Sequence, residues 1–451
     1  MPDRPNVIVI TTHDSGRWFG CYGHETLHTP NVDRLAREGV RLTNHFCASP
    51  ICSASRAAMM TGCYPQRNGV LDLVFPPFDC ALHDPTWHLS YAMRAAGYRT
   101  RLFYFQHEAH NPDDLAFDER RVERVTDEGG QTVRPACTDV AADVADFLET
   151  EGASHGPFYA QVGFFETHIP YNFGGAQPDD EHGVRVPDYL EDNGAARENC
   201  GWLQGALRKV DEAVGTILDA LERTGLAENT IVVFCTDHGV ELPRAKWFVY
   251  DAGIEAAMIW RWPAGGITGG RACEWLTSNV DFMPTLLELT GATARHEMDG
   301  VSYAAALRGE ANAQPGRDAI FAYFQKGESR CVRTERYKLI RYFLAGGGRS
   351  LMRHAGESAG QPCMDVRDPR MRRVVPAVQL FDLQADPLEV ENLAEREDHA
   401  ELRAELEGRM WRWMESVGDP VLEGPTRTPF FENSHAAYRQ WKAEQAQEQR
   451  A

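Results

Sequence analysis

Short apolar runs that end in titratable residues, with helical periodicities between them, constrain this chain to an α/β fold. Residues 6–11, Tyr98 to Phe105, Phe158 to Phe165 and Thr230 to Cys235 are nearly continuous in apolar or β-branched side chains. Continuous rather than alternating runs mark strands covered on both faces, as in a parallel sheet. The intervening segments have helical spacing. Thr29 reads as an N-cap with Pro30 at N1, and Gly39 closes that helix. Residues 86–96 stop at Gly97, and 137–150 carry Val140, Val144, Phe147 and Leu148. Residues 202–223 carry Leu203, Leu207, Val210, Val214, Ile217, Leu218 and Leu221 before Gly225. Val40 to Phe46 and Met258–Trp260 read as further strands, and 281–290 as a helix. The alternation predicts a large, mainly parallel sheet sandwiched by helices.

The pattern changes near residue 318. Ile320–Phe324, Cys331–Val332, Lys338–Phe343 and Gln379–Asp382 read as short strands among loops rich in Gly, Arg and Pro, and a helix follows near 396–416. The expected division is an α/β domain over 1–317 and a smaller α+β domain with an antiparallel sheet over 318–451. The last ~25 residues are polar and read as a packed arm or a frayed end. The 451 residues carry a formal net charge of −20, which opposes nucleic acid and anionic surfaces as partners. No apolar run is long enough to span a bilayer. Eleven scattered cysteines without CxxC pairs fit a reduced, cytoplasmic protein. An anionic small substrate stays open, because local cations outweigh a distant net charge.

Ligands of open parallel sheets bind beyond the carboxyl ends of the strands. Four predicted strands end there in titratable groups: His13 and Asp14, His107 and His110, His168, then Asp237 and His238. Singly, each has a dull reading, a satisfied histidine or a capping aspartate. Together they share one edge and offer carboxylates and imidazoles to a divalent metal. The stretch Cys52-Ser53-Ala54-Ser55-Arg56 precedes good helix formers and reads as a helix N-terminus, with Ser53 or Ser55 near the cap and Gly62 as the stop. Such an end favours an anion, Arg56 adds a fork of donors, and a thiolate at Cys52 is expected to be favoured. The plainer reading is a small buried cysteine beside a surface arginine. Lys246, in a loop-like segment, reads as a further cation of the site or as a solvated lysine. Residues 171–200 are loop-like and long enough for a lid.

These residues resemble the formylglycine-dependent sulfatases of the alkaline-phosphatase superfamily over nearly the whole chain. Cys52 to Arg56 is similar to the family's C-x-P/A-S-R motif, continued by Thr61-Gly62, Tyr64-Pro65 and Asn68-Gly69-Val70. His13-Asp14 and Asp237-His238-Gly239 stand at its two metal-binding pairs, and His168-Ile169-Pro170 resembles its H-x-P element. Thr29 to Ala36 and Leu380 to Leu393 resemble its early helix and its late signature. The pattern is most similar to heparan N-sulfatase-like bacterial proteins.

The resemblance implies an alkaline-phosphatase-like fold and hydrolysis of a sulfate ester or sulfamate. The nucleophile would be a formylglycine gem-diol, derived from Cys52 by a maturation enzyme. It implies one divalent metal on His13, Asp14, Cys52, Asp237 and His238: calcium by family default, manganese or zinc given the two imidazoles. Arg56, His107, His168 and Lys246 would be catalytic, with His168 or Lys246 as acid and His107 as base. The substrate would be a small sulfated anion such as a sugar. The chain departs from the pattern in three ways: Ala54 for the commoner Pro, the imidazoles of His13 and His238, and Phe105 where many members carry a lysine. Two other functions are weighed: a phosphonate monoester or phosphodiester hydrolase of the same fold, whose His after the second Asp His238 echoes, and a non-catalytic binder of a sulfated ligand. Trp411, Trp413 and Phe430-Phe431 pack on the main domain or form a homo-oligomer contact.

Overall fold

Successive side chains of Asn6–Thr12 point into two different helical layers, and both layers are dry. Val7 and Val9 join one apolar cluster and Ile8 and Ile10 the other, all four fully buried. This is why the run is continuous rather than alternating. The computed structural model describes residues 4–121, 125–126, 132–152, 156–344, 364–372 and 375–448.

In chain order the strands of the first part are β1 Asn6–Thr12, β2 Val40–Leu42, β3 His45–Phe46, β4 Arg99–Tyr104, β5 Glu119–Arg121, β6 Val125–Thr126, β7 Thr132–Val133, β8 Phe158–Gly163 and β9 Thr230–Thr236. Then come β10 Met258–Arg261, β11 Arg271–Cys273 and β12 Thr277–Ser278. Eight of them form the main sheet, in the order β11-β2-β10-β9-β1-β8-β4-β5. From β9 to β5 all neighbours are parallel, and β10 runs against both β9 and β2. The helices Pro30–Glu38, Cys137–Thr150 and Gly194–Arg223 cover one face, and Cys52–Thr61, Leu89–Ala95 and Phe282–Thr290 the other.

The mainly parallel, helix-sandwiched sheet is as expected, with local differences. Val40 to Phe46 is two strands, because the chain leaves the main sheet at Thr43 to pair His45–Phe46 with Thr277–Ser278. The long helix begins at Gly194, with Asn193 accepting from Ala196 N as its cap, so the loop expected over 171–200 is shorter. The cap of the Pro30 helix comes from elsewhere. Thr29 makes no capping bond, and Asp211 on the long helix accepts from Asn31 N and Val32 N at 2.9 and 2.8 Å.

A second, antiparallel sheet follows: β13 Ile320–Phe324, β14 Ser329–Arg333, β15 Tyr337–Tyr342 and β16 Val378–Asp382. One face packs on the helix Ala400–Ser416 through Leu406, Met410, Trp413 and Met414, so both tryptophans named above sit on this helix and Trp413 is buried. The other face, with Ala322, Phe324, Cys331 and Ile340, packs on Ile51, Cys52 and Ala54. The second sheet therefore backs the Cys52 segment. The polar end is the helix Pro429–Glu448, on which Phe430, Phe431, Tyr438 and Trp441 are exposed. Among the described residues no helix is long and apolar enough to cross a membrane, and the ten described cysteines are all free.

Two stability predictions arise here. Arg330 of β14 and Asp419 are fully buried and meet in two hydrogen bonds of 2.6 and 2.7 Å. Asp419→Ala leaves that guanidinium buried with one fewer carboxylate, and denaturant unfolding is expected to show a loss of about 3–5 kcal/mol. His88 is fully buried, and burial lowers it from 6.5 to about 3. Its Nδ1 accepts from Ser90 N, so the folded protein holds it neutral while the unfolded chain protonates it. Its folded value is depressed, so it costs stability as pH falls from 6.5 towards 3, at about 1.4 kcal/mol per pH unit. The stability gap between wild type and His88→Asn, which keeps an acceptor at the cap, is expected to move in favour of the variant by that slope. A gap independent of pH would refute it.

Candidate active site

The parallel order β9-β1-β8-β4 brings four carboxyl ends side by side, and the residues that follow them meet there. Thr167 laces the ends of β1 and β8 together: its N–H and Oγ1 donate to His13 O at 2.8 and 3.0 Å. Asp14 lies in the left-handed region (φ 49), rare for a residue with a side chain, and its N–H donates to Asp237 Oδ1 at 2.9 Å. One ligand atom each from His13, Asp14, Cys52, Asp237 and His238 lies within 4.8 Å of all the others, every residue buried.

The group combines one hydrogen-bonded pair, His13 with Asp14, with ring nitrogens left open. Burial pushes His13 down to about 4 against the pull of Asp14 and Asp237, so it is neutral at pH 7. Its Nδ1 donates to Asp14 Oδ1 at 2.7 Å, with Asp237 Oδ2 3.5 Å away, and its Nε2, left as the acceptor, has no partner among the described residues. The Nδ1 of His238 donates to Gly239 O at 2.9 Å, which leaves Nε2 as a lone-pair acceptor 3.2 Å from Asp14 Oδ1 and without a hydrogen bond. Lys246 on Asp14 and Arg56 on Asp237 offset part of the buried negative charge, and the two open imidazole nitrogens beside the carboxylates suit a cation. Two carboxylates, two imidazoles and a sulfur fit a divalent metal, and the carbonyl behind His238 is the kind of second partner that orients a metal-binding imidazole.

Cys52 is the first residue of its helix. Ile51 is the cap and makes no side-chain bond; Ser53 Oγ accepts from Val74 N and Ser55 Oγ donates to Asp237 O, so neither expected serine is the cap. Gly62, at φ 68, ends the helix as expected. The favoured thiolate is not found. Burial pushes the Cys52 thiol well above its ordinary range; Lys246 and Arg56 pull it down, and Asp14 and Asp237 push it up. Arg56 is no surface residue: it is 1 % exposed, its Nε donates to Asp237 Oδ2 at 3.0 Å and its guanidinium lies over Phe105, 5.0 Å from the ring centroid.

Lys246 is likewise buried, with Nζ 2.6 Å from Asp14 Oδ2 and 2.9 Å from Glu241 Oε2. Burial alone would lower it, but those two carboxylates hold it well above its usual range. His168 is partly exposed; its Nδ1 donates to Ile169 O at 2.7 Å, and its Nε2 is turned to Asp14 Oδ2 at 4.0 Å. The His107 ring lies 5.4 Å from that of His13 and 4.2 Å from Phe105. Burial chiefly, with His13 and the Arg56 guanidinium close by, holds it well below its usual range. His110 turns away, exposed, onto Val74 O. Glu241, which fixes Lys246, was not foreseen; only its place between His238 and Lys246 pointed to it.

The Sulfatase family model matches residues 5–292, and the model described as N-sulphoglucosamine sulphohydrolase, C-terminal, matches 244–353. An ulvan-active sulfatase of Formosa agariphila is 27% identical, over 93% of this chain and 76% of its own. Human N-sulphoglucosamine sulphohydrolase is 24% identical, over 93% of this chain and 92% of its own. The phosphonate monoester hydrolase of Agrobacterium radiobacter shares the fold, with a TM-score of 0.66 and 22% identity over 92% of this chain and 96% of that one.

Proposed function

We propose a reaction for a chain that belongs to the sulfatase family: hydrolysis of a sulfate ester or sulfamate on a sugar, aided by a divalent cation and a formylglycine made from Cys52. The observation that carries it is the convergence of His13, Asp14, Cys52, Asp237 and His238 on one point at a helix N-terminus. The sugar rests on the ulvan-active and sulphoglucosamine-directed relatives.

His13, Asp14, Asp237, His238 and the residue at 52 would hold the cation, which supplies positive charge against the sulfuryl oxygens. Two imidazoles in the set favour manganese or zinc over calcium. Oxidised to an aldehyde and hydrated, residue 52 supplies two geminal hydroxyls, one to attack sulfur and one whose deprotonation expels sulfate. Arg56 holds the Asp237 carboxylate in place and adds positive potential beside the helix end. His107, kept neutral by burial, is fit to take the proton of the second hydroxyl. His168, with Nε2 turned to the site, would carry the proton for the leaving oxygen or nitrogen. Lys246 stays charged beside Asp14 and serves as a donor, not as a base.

The test uses protein co-expressed with a maturation enzyme. Mass analysis of the peptide spanning Cys52 is expected to show an aldehyde in place of the thiol, Ala54 notwithstanding. Aryl sulfate is expected to be turned over faster than the matched aryl phosphodiester. A preference for the diester by orders of magnitude would make the chain a phosphodiesterase or phosphonate hydrolase. An unconverted thiol with sulfate binding and no turnover would make it a binder.

A further inference from the structure

The turn between β13 and β14 brings a second lysine to the mouth of this site from the C-terminal sheet. Lys326 lies on that turn, half-buried, with Nζ 4.6 Å from the ring centroid of Phe78 and 4.3 Å from that of Trp247. Lys246 Nζ is 5.4 Å from the same indole, so one side chain links the two ammonium groups. Unlike Lys246, Lys326 has no ion pair and no hydrogen bond among the described residues. Its surroundings are electrically joined to the centre: burial lowers it, Asp72 and Cys52 raise it, and Lys246 lowers it further. Asp72 is itself 1 % exposed, and its Oδ1 accepts from Leu73 N at 2.9 Å.

The turn is fixed without help from Lys326. Glu328 Oε1 accepts from Thr426 N at 2.8 Å and its Oε2 from Thr426 Oγ1 at 2.9 Å, while Arg330, locked on Asp419, reaches Glu328 at 3.3 Å. Lys326 is thus held on a rigid support, between aromatic walls, with Asp72 as a partial counter-charge and no salt bridge among the described residues. A partly desolvated ammonium gains most from an anion, because a neutral hydroxyl leaves the charge unpaired. Preorganisation of this kind reduces the ordering cost of binding. On a chain of net charge −20, a doubly charged substrate also needs a local cation more than a singly charged one does.

We propose that Lys326, walled by Phe78 and Trp247, determines specificity by binding a second anionic group, a carboxylate or another sulfate, borne by the same substrate. This rests on the sulfatase reading above.

The test compares a nitrophenyl sulfate with the same ester carrying a ring carboxylate, in wild type, Lys326→Met and Lys326→Arg. Wild type is expected to favour the carboxylated ester. Lys326→Met is expected to lose about tenfold more kcat/KM on that ester than on the plain one, chiefly in KM, and Lys326→Arg to recover most of the loss. Equal losses on both esters, or no preference in wild type, would overturn the proposal, and a thermal melt controls for folding. Calorimetric Kd values of both esters on the unconverted thiol protein supply a second readout. If turnover is absent but the differential in Kd persists, the sulfatase reading fails and the Lys326 site stands. If turnover is present without any differential, Lys326 only packs against the two rings.

Discussion

Cys52→Ala abolishes turnover while leaving the fold intact: kcat/KM on an aryl sulfate is expected to fall by at least ~10⁴-fold, the scale seen when a nucleophile is removed. The side chain at 52 is 4 % exposed and sits between the helix end and the second sheet, at the point where the other site residues converge. Among the described residues its sulfur carries no hydrogen bond that the change would break, and the cavity left by one sulfur is small. Urea unfolding is expected to move by about 1 kcal/mol or less. The neutral thiol sharpens the expectation. A cysteine whose proton is held by burial and by two nearby carboxylates is a poor nucleophile as it stands. Wild type prepared without a maturation enzyme is therefore expected to match the alanine variant. If that unconverted protein hydrolyses the ester at the rate of converted protein, the aldehyde plays no part and the proposed chemistry is wrong.

The strands were legible because each is buried on both faces, and a dry strand leaves a mark in the sequence that needs no tertiary information. Once four such strands are parallel neighbours, the position of His13, Asp14, His107, His168, Asp237 and His238 at one edge follows from topology. What failed was whatever depends on a partner distant in sequence. Asp211 caps a helix that begins 181 residues earlier, at Pro30, so Thr29 looked sufficient. The start of the long helix was obscured by Gly194 within a stretch rich in Gly, Asp and Asn, yet the helix runs on through Gly201 and Gly205. At Gly205 a Cβ would stand 1.7 Å from Gln177 O, so the glycine marks a loop crossing close to the helix, not a break. The thiolate expectation used the helix end alone and omitted the burial and the carboxylates that outweigh it. Lys326 lies in a hairpin turn whose composition resembles any polar turn; only the packing of β13 and β14 against the Cys52 segment brings it to the site.

Asp14→Asn is expected to remove the metal and most of the activity together. Asp14 Oδ1 stands 2.7 Å from His13 Nδ1 and 3.2 Å from His238 Nε2, and Oδ2 stands 2.6 Å from Lys246 Nζ. The amide keeps the shape but carries no charge, and its NH₂ turns a donor on groups that need an acceptor or a cation. Turnover should fall on the order of 10³-fold or more, beyond the ~10–100-fold typical of losing a residue that merely orients a ligand. The variant also leaves Lys246 with Glu241 as its remaining carboxylate, and breaking a buried pair costs about 3–5 kcal/mol, at the lower end here because Glu241 stays. Chelation separates the two effects. A bound cation stabilises the folded state by mass action, so a chelator should lower the melting temperature of wild type and leave that of Asp14→Asn unmoved. Elemental analysis should find about one divalent ion per wild-type chain and far less in the variant. The open Nε2 of His238 faces Asp14 Oδ1 at 3.2 Å in a dry pocket, and a neutral amide at position 14 relieves that repulsion. In chelated protein the stability gap between the two should therefore narrow. A variant that keeps its metal, or a chelator that shifts both proteins alike, would show that the cation is held somewhere other than on Asp14.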